Sequence, residues 1–278
     1  MMKKGNRKFL VGITGSTGLI GKNLIKKYPK YKFIKFEGDI LNKRQVDNWI
    51  ANSKFNKLIH LAAKVPTAYV NANYLNSKKT NYEGTKNLIN SILKFKYKKF
   101  KWFFFASTSH VYKESKKKLK ENSRLKPYSK YGYTKLLAER FLKRKTPFKI
   151  CIARIFSITH PKQHPSYAIP SIYKKISKSK NNEVLVLKNL NHNRDFCHIN
   201  DVCRAIDLLC KKEIEGTYNI GSSKKISLKY IASFFAKKKK LIFVDNKLES
   251  NIVANISRIK KIGFKPRFNL EKTLQDFK

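Results

Sequence analysis

The chemistry that the sequence offers most directly is proton transfer by a tyrosine with a lysine four residues later. This Tyr-x-x-x-Lys spacing occurs seven times among the 14 tyrosines, so spacing alone identifies no site. On a helix, residues i and i+4 share a face. A phenol has a pKa of about 10, and an ammonium group one turn away favours the phenolate, which is a base. Tyr131 and Lys135 form one such pair, in a helix predicted from Tyr131 to Leu142.

A glycine-rich turn near the start of the chain has the composition of an anion-binding loop. It reads Gly15, Ser16, Thr17, Gly18, Leu19, Ile20 and Gly21, directly after Thr14. Gly15 allows a tight turn, Gly18 lets the backbone approach a pyrophosphate, and Gly21 lets the helix pack closely on the strand. The free N–H groups and the helix dipole at such a turn bind anions. This turn therefore predicts dinucleotide binding.

The elements around these residues alternate between apolar β-type runs and helical stretches. The predicted strands are Phe9 to Thr14, Lys32 to Phe36, Lys57 to Ala62, Lys101 to Ala106 and Phe148 to Ala153. The predicted helices are Leu19 to Tyr28, Lys79 to Phe95 and Tyr131 to Leu142. This alternation is typical of an α/β fold with a doubly wound parallel sheet. After residue 155 it loosens, and Pro161, Pro165 and Pro170 cluster, which indicates a smaller second lobe.

These motifs together resemble the NAD-dependent epimerase/dehydratase family of extended short-chain dehydrogenases/reductases, which modifies nucleotide sugars. The resemblance runs from about residue 8 to residue 266. It implies a Rossmann-type sheet with a smaller C-terminal substrate-binding lobe. We expect residues 1–155 and about 193–220 to form the dinucleotide-binding domain, and about 156–192 with 221–278 to form the lobe.

The resemblance implies a set of cofactor-binding residues along the first half of the chain. Asp39 matches an acidic residue that touches adenine, His60-Leu61-Ala62-Ala63 matches a strand end that lines the cofactor, and Asn81 matches a helix position beside the active site. The implied cofactor-binding set is Gly15, Thr17, Gly18, Leu19, Ile20, Gly21, Asp39, Ile40, Leu61, Ala62, Ala63, Asn81, Tyr131 and Lys135. NAD and NADP both stay open, because Glu37 favours NAD and Lys35 favours NADP, with Phe36 between them. Of the two, NAD is preferred.

The resemblance also selects one catalytic pair among the seven. Tyr131-Gly132-Tyr133-Thr134-Lys135 is similar to the family's Tyr-Gly-x-Ser-Lys, and the segment 107–112 is similar to Ser-Ser-x-x-Val-Tyr. It implies that Tyr131 moves a sugar hydroxyl proton and that Lys135 holds the nicotinamide ribose. Thr108 would hold the reacting oxygen, with Ser107 and Ser109 beside it as alternatives.

The substrate side carries a third resemblance. Residues 194–202 are similar to Arg-Asp-Phe-x-His-x-x-Asp-Val, in which the arginine contacts the nucleotide diphosphate. The implied substrate-binding residues are Thr108, Arg194 and Ser157, the last standing where the family usually has Asn. Asp195 and Asp201 are expected to be structural, as a hydrogen-bond partner and a helix cap.

The function that this pattern favours is redox modification of a nucleotide sugar, as a 4-epimerase working through a transient 4-keto sugar. The first alternative is an NAD(P)H-dependent 4-keto-sugar reductase similar to dTDP-4-dehydrorhamnose reductase. The second is an RNA-binding protein on the same fold. The segment after Thr108 lacks the Asp-Glu pair of the 4,6-dehydratases, which argues against water elimination. A homodimer is expected through the helices at about 79–95 and 131–144.

Composition sets the outer limits on these expectations. With 41% hydrophobic residues the chain has material for a buried core, and no apolar run approaches the roughly 18 residues of a membrane span. The apolar run Phe9-Leu10-Val11 is too short for the core of a signal peptide, so we expect a cytoplasmic protein. The four cysteines lack metal-binding spacing, so we expect reduced thiols and no metal. The net charge of +46 allows non-specific binding of polyanions. Its lysines are spread over the whole chain, which favours compositional drift over a dedicated nucleic-acid surface.

Overall fold

The fold is described from a computed structural model, which covers residues 9–277 except 97, 145, 181, 182, 238, 247 and 248. The predicted domain bounds at residues 1 and 278 lie outside these described residues. The strands are β1 Phe9–Thr14, β2 Tyr31–Lys35, β3 Lys57–His60, β4 Trp102–Thr108, β5 Lys149–Ile155, β6 Ser157–Thr159, β7 Leu185–Lys188, β8 His192–Arg194, β9 Phe196–His198, β10 Gly216–Ile220, β11 Ile226–Ser227, β12 Leu241–Val244 and β13 Ser250–Ile252. The helices are α1 Leu19–Lys27, α2 Lys43–Asn52, α3 Thr67–Ala72, α4 Tyr74–Lys78, α5 Gly84–Lys96, α6 Lys130–Leu142, α7 Ala168–Ser177, α8 Ile199–Lys211, α9 Leu228–Ala236, α10 Ser257–Lys261 and α11 Leu270–Gln275.

The central sheet has the predicted doubly wound topology. Its strand order is β2-β1-β3-β4-β5-β10, and each neighbouring pair is parallel. The chain leaves β1 for β2 on one side and then crosses to β3 on the other. The strand order therefore reverses between β1 and β3, and ligands bind open α/β sheets outside the carboxyl ends of the strands at such a point. The predicted fold class is confirmed.

Strand β4 shows why this sheet is buried on both faces. Trp102 and Phe104 belong to the hydrophobic cluster on one face, whereas Phe103 and Phe105 belong to the cluster on the other. Successive side chains of a strand alternate between faces, so a run of aromatic residues serves both cores at once. Each of these rings is fully buried. This packing holds the carboxyl end of β4, and with it Thr108, in a fixed place.

The helix predicted from Lys79 to Phe95 is interrupted. Helix α4 is followed by a π-helical turn over Lys79–Glu83, and α5 begins at Gly84. The apolar spacing that supports the prediction continues across the turn and gives no sign of it. A π turn widens the helix by one residue and is frequent at functional sites. Here it carries Asn81, which is buried.

The second lobe has its own core. Side chains of α7, α9 and α11 pack there with strand β7, including Ile172, Leu187, Ile231 and Leu274. The predicted boundaries of the lobe stay a prediction. Three residues of its predicted second part, Ile256, Ile259 and Phe264, pack in the core of the central sheet. Within the described residues, no helix is both long and apolar enough to cross a membrane.

Candidate active site

The predicted site residues converge on one cavity of about 1380 Å³, between the carboxyl ends of the strands and the second lobe. Among the predicted residues, those that line it are Gly15, Thr17, Gly18, Leu19, Ile20, Gly21, Asp39, Ile40, Leu61, Ala62, Ala63, Thr108, Tyr131, Lys135, Ser157 and Arg194. Asn81 is the exception, because it lies behind the wall of the cavity. Residues far apart in sequence thus meet where the strand order reverses.

The glycine turn has the close backbone contacts that its sequence predicts. Gly15 has a φ of +70°, and a Cβ there would stand 2.6 Å from the Ala62 nitrogen. A Cβ at Gly21 would stand 2.3 Å from the Gly15 carbonyl oxygen. At Gly18 a Cβ would meet only that same oxygen, at 3.3 Å, so this side of the turn is open. An open backbone surface at the start of α1 fits a dinucleotide pyrophosphate.

The residues that follow β2 line one end of the cavity. Phe36 and Glu37 line the cavity, and Lys35 does not. Asp39 is fixed by its own loop, since its carboxylate accepts the Leu41 N–H at 2.9 Å. The carboxylates at this end are positioned to accept hydroxyl groups, such as those of a ribose.

The catalytic residues predicted from the Tyr-x-x-x-Lys pair come from β4 and α6. Ser129 caps α6 by accepting the Gly132 N–H at 3.0 Å, which places Tyr131 in the first turn. Lys135 follows one turn later and is 2% exposed. Its Nζ lies 4.0 Å from the centre of the Phe105 ring. Thr108 ends β4 and faces the same cavity.

Burial controls the electrostatics of this pair. It raises the pKa of the Tyr131 phenol, and a hydrogen bond from Thr108 acts in the opposite direction. Burial also lowers the pKa of Lys135 to about 7, although the charge of the nearby Glu139 carboxylate acts to raise it. The Tyr131 pKa is therefore raised, contrary to the lowering expected from Lys135, because desolvation disfavours the charged form of both groups.

His110 is a cavity residue that the sequence reasoning missed. Its ring packs edge-on against Tyr131, with 5.7 Å between ring centres, and its Nδ1 lies 3.2 Å from the Ser129 hydroxyl. A Cβ at Gly132 would stand 2.3 Å from the His110 carbonyl oxygen, so α6 starts directly against this turn. Burial lowers the pKa of His110 to about 4. Its position two residues after Thr108 is the signal that was available.

His60 ties β1 and β3 together behind the glycine turn. The Ala62 N–H donates to the Thr14 hydroxyl at 3.2 Å, and that hydroxyl lies 2.7 Å from Nδ1 of His60. On the other side, Nε2 lies 3.0 Å from the Thr85 hydroxyl, which itself donates to the Asn81 carbonyl at 2.9 Å. Thr85 must then accept from His60, so the network assigns the proton to Nε2.

Asn81 continues this chain of hydrogen bonds to α6. Its Oδ1 accepts the Lys64 N–H at 2.7 Å, and its Nδ2 donates to the Thr134 hydroxyl at 3.0 Å. Thr134 in turn donates to the Tyr131 carbonyl at 2.8 Å. Asn81 therefore connects the cavity wall at Lys64 with the first turn of α6.

The substrate side is built from β8 and the loops around it. Arg194 reaches the cavity while one of its nitrogens donates to the carbonyls of Asn193 and Ser250, at 2.9 and 3.0 Å. Asp195 is a structural hydrogen-bond partner, as expected, because its carboxylate accepts the backbone N–H groups of Ser222 and Ser223.

The expectation that Asp201 caps a helix is wrong. His198 caps α8, because its Nδ1 accepts the Asn200 N–H at 3.0 Å. Asp201 lies inside the first turn of the helix, pairs with Arg204 at 2.6 Å and accepts the Arg267 N–H at 2.9 Å. Its carboxylate thus joins α8 to the segment that precedes α11.

Comparison with known proteins agrees with this geometry. The sequence model of the NAD dependent epimerase/dehydratase family matches residues 11–221. The chain is 30% identical over 217 residues to GDP-6-deoxy-D-talose 4-dehydrogenase of Aggregatibacter actinomycetemcomitans, which covers 75% of this chain and 72% of that protein. It is 32% identical over 171 residues to the Bacillus subtilis protein named uncharacterized UDP-glucose epimerase YtcB, covering 58% of this chain and 54% of that one.

Solved structures share the fold over nearly the whole chain. RMD from Pseudomonas aeruginosa, complexed with NADPH, superposes with a TM-score of 0.86 at 20% identity and 97% coverage of both chains. UDP-glucose 4-epimerase of Thermus thermophilus, complexed with NAD, gives a TM-score of 0.84 at 18% identity, covering 97% of this chain and 99% of that one. On the sequence match and the fold together, this chain belongs to the NAD-dependent epimerase/dehydratase family.

Proposed function

We propose that this chain is an NAD(P)-dependent enzyme that oxidises and reduces C4 of a nucleotide sugar, as a 4-epimerase working through a transient 4-keto sugar. The observation that carries the proposal is the convergence of three features in one cavity. An open glycine turn at the start of α1, the pair of Tyr131 and Lys135, and Arg194 all line it.

The cavity has room for two ligands at once. Its volume of about 1380 Å³ exceeds the roughly 300–1,000 Å³ of a pocket for one drug-sized molecule. The glycine turn would hold the pyrophosphate of a dinucleotide through backbone N–H groups, and Lys135 would hold the nicotinamide ribose. The chemistry that a bound nicotinamide dinucleotide supplies is reversible hydride transfer.

The proton moves through the side chains of β4 and α6. The Thr108 hydroxyl would hold the oxygen on C4 while Tyr131 takes its proton, and the hydride on C4 would pass to the nicotinamide of the bound dinucleotide. The reverse transfer returns the proton from Tyr131 to the oxygen. If hydride returns to the opposite face of the sugar ring, the carbon is inverted, which is the outcome of a 4-epimerase.

The charges of the cavity favour one orientation for the two ligands. Glu37 and Asp39 lie at the end where the ribose of a dinucleotide would sit, and Arg194 lies at the other with Lys162 nearby. An Arg fork suits the geometry of a diphosphate. A carboxylate at Glu37 disfavours a 2′-phosphate, so we propose NAD in preference to NADP.

The 4-keto-sugar reductase stays the second candidate because of two comparisons. One relative is named as a 4-dehydrogenase, and one structural neighbour is complexed with NADPH. An epimerase returns the hydride that it takes and needs no exchange of dinucleotide, whereas a reductase consumes it in every turnover. The two functions therefore differ in what the purified protein carries.

Mass spectrometry of what the denatured protein releases tests this proposal. Stoichiometric NAD supports the epimerase. An empty protein that takes up NADPH from solution supports the reductase. An empty protein that accepts neither dinucleotide contradicts the proposal and favours RNA binding, which should then be independent of a Tyr131→Phe substitution.

We further propose that the chain forms a homodimer through α5 and α6. Tyr133 on α6 is 43% exposed, and Leu75 on the adjoining α4 is 72% exposed, so large apolar side chains accompany this face. Light scattering on the parent and on a Tyr133→Lys, Leu75→Lys variant tests the proposal. A monomeric parent would contradict it.

A further inference from the structure

A fully buried ion pair lies directly behind the proposed catalytic residues. Glu139 is 0% exposed and Arg154 is 1% exposed. Arg154 donates to both carboxylate oxygens of Glu139, through Nε at 3.0 and 3.2 Å and through Nη2 at 2.7 Å. Glu139 also accepts the Ser107 hydroxyl at 2.5 Å. The carboxylate therefore links α6 to β4 and β5 at the residue that precedes Thr108.

The guanidinium is held on the side away from the cavity. Its Nη1 donates to the Tyr112 hydroxyl at 2.9 Å and to the Glu121 carbonyl at 2.8 Å. Tyr112 donates onward to Asn219 on β10 at 2.7 Å. The positive member of the pair is thus directed toward Tyr112, and the negative member stands on α6, one turn after Lys135.

Among the charged and titratable groups around Lys135, Glu139 is the carboxylate whose charge raises its pKa, although Glu139 itself pairs with Arg154. On α6 these groups are Tyr131 and Glu139, and on β3 the group is His60, whose pKa burial lowers well below its ordinary value, so that it is neutral. From β4, Phe105 presents a ring face. Arg154 of β5 lies beyond Glu139. Burial lowers the pKa of Lys135 to about 7 and the Glu139 carboxylate raises it, so this carboxylate favours the ammonium form.

We propose that Glu139 is a positioning residue for Thr108, Tyr131 and Lys135. Glu139 holds Ser107, and therefore Thr108, against α6, and it keeps Lys135 in its ammonium form. An ammonium at Lys135, one turn from Tyr131 on the same face of α6, would favour the Tyr131 phenolate, and Glu139 would then act on the proton transfer through Lys135. The proposal deepens the proposed function and rests on it for the role of the proton. Its electrostatic part concerns the folded protein itself and needs no sugar to be measured.

The test is a pH titration of Tyr131 in the NAD-loaded protein, followed by phenolate absorbance and taken as the difference from Tyr131→Phe. Glu139→Gln alone leaves Arg154 buried without its partner and endangers folding. The measured variant is therefore the double substitution Glu139→Gln, Arg154→Met, which removes both charges. We expect its Tyr131 midpoint to rise by about one pH unit, because Lys135 loses its counter-ion. The single variant Glu139→Asp keeps the charge and the Arg154 partner, so its Tyr131 midpoint is expected to equal that of the parent.

Two further variants separate this role from a merely structural one. Ser107→Ala keeps both charges and breaks one hydrogen bond to the Glu139 carboxylate, so kcat should fall about tenfold without movement of the midpoint. Glu271→Gln, which removes an exposed carboxylate on α11, should change neither. A folded double variant with an unmoved midpoint would overturn the proposal, as would a Ser107→Ala variant with unchanged kcat. If the parent turns over no nucleotide sugar, the proposed function fails, and the titration still decides the role of Glu139.

Discussion

Burial, more than the spacing of charges, governs the side chains around Tyr131. The pKa of Tyr131 is raised and those of Lys135 and His110 are lowered, each with desolvation as the largest cause. In each of the three groups, desolvation therefore acts against the charged form. Proton transfer at neutral pH then depends on the fixed charges and dipoles that the fold supplies, such as Glu139 beside Lys135.

Gly18 offers the most specific test of the cofactor site. Gly18→Val should lower dinucleotide affinity by at least about 100-fold, because the branched side chain fills the open side of the turn. The backbone at Gly18 has a φ of −73°, which valine adopts without strain, so the thermal midpoint should hold. Calorimetric titration with NAD measures the affinity. Gly18→Ala is the matched control and should bind more tightly than Gly18→Val; equal affinities would contradict the assignment.

Arg194 tests the substrate end of the cavity. Arg194→Ala should raise KM for the nucleotide sugar by about 10- to 100-fold while kcat stays within about threefold, because the lost contact is remote from the reacting carbon. Steady-state kinetics separates the two constants. Arg204→Ala removes a guanidinium that pairs with Asp201 outside the cavity and serves as the control. An unmoved KM for Arg194→Ala would place the diphosphate elsewhere.

At this scale the sequence predicted the residues that have a position-specific motif. The glycines of the turn, Tyr131, Lys135 and Arg194 all line the cavity as expected. It did not predict His110, because a lone histidine carries no spacing signal. Nor did it show that Asn81 lies behind the cavity wall, since a motif gives the position in sequence and leaves the direction of the side chain open.

Among the elements, α6 is held against the strand ends at three points. His110 and Ser129 meet at its start, Asn81 reaches Thr134 in its second turn, and Ser107 binds Glu139 near its end. These contacts come from β4, from the turn that directly follows it and from the π-helical turn before α5. Tyr131 and Lys135 are therefore positioned by elements that are distant in sequence.

Thr134 is the contact that can be removed most cleanly. Thr134→Val keeps the volume and deletes the hydroxyl that links Asn81 to the Tyr131 carbonyl. We expect kcat to fall about tenfold, equal to about 1.4 kcal/mol, while dinucleotide affinity changes by less than about twofold. Turnover and NAD titration measure the two effects. Thr273→Val, at a buried threonine of α11, is the control; equal losses in both variants would show a general loss of stability instead.

The sequence predicted strands β1 to β5 and helices α1, α5 and α6, because their apolar periodicity is strong. It did not predict β10, the sixth strand of the central sheet, or helices α2 and α8. It missed the π turn at Lys79–Glu83, which changes the local hydrogen bonding without changing the apolar pattern. It also extended the third strand to Ala62, whereas β3 ends at His60. The last residues of that run turn to line the cavity, and hydropathy alone does not distinguish them from a strand.

Over the whole molecule, buried histidines make stability depend on acid pH. The pKa values of His60 and His110 lie below those of the unfolded chain, so below about pH 6.5 the unfolded state binds more protons than the folded state. Stability is therefore complete above that pH and falls as pH decreases, by up to about 1.4 kcal/mol per pH unit for each histidine. For His110 this loss levels off below about pH 4.

Thermal unfolding between neutral and acid pH checks this dependence. His60→Gln should reduce the slope of the thermal midpoint against pH, because it removes one of the groups that bind a proton on unfolding. His164→Gln, at an exposed histidine, should leave the slope unchanged. A slope that is the same in parent and His60→Gln would show that the net charge of +46, which also grows in acid, accounts for the whole effect.

The net charge belongs to this scale as well. Binding of RNA or another polyanion remains a prediction from the +46, and non-specific contacts by lysine would weaken steeply with added salt. The net charge does not explain the properties of the cavity, because its two ends carry opposite charges. Function is therefore argued from the cavity and from the fold that assembles it.

The most direct test of the central claim is the absorbance of reduced nicotinamide after rapid mixing of the NAD-loaded protein with UDP-, dTDP- and GDP-sugars. We predict a transient rise with at least one sugar, followed by release of its 4-epimer, because hydride leaves C4 and then returns. Tyr131→Phe should bind NAD and show no rise, since the sugar hydroxyl keeps its proton. A rise of equal rate in Tyr131→Phe, or no rise with any nucleotide sugar in a protein that holds NAD, would contradict this assignment.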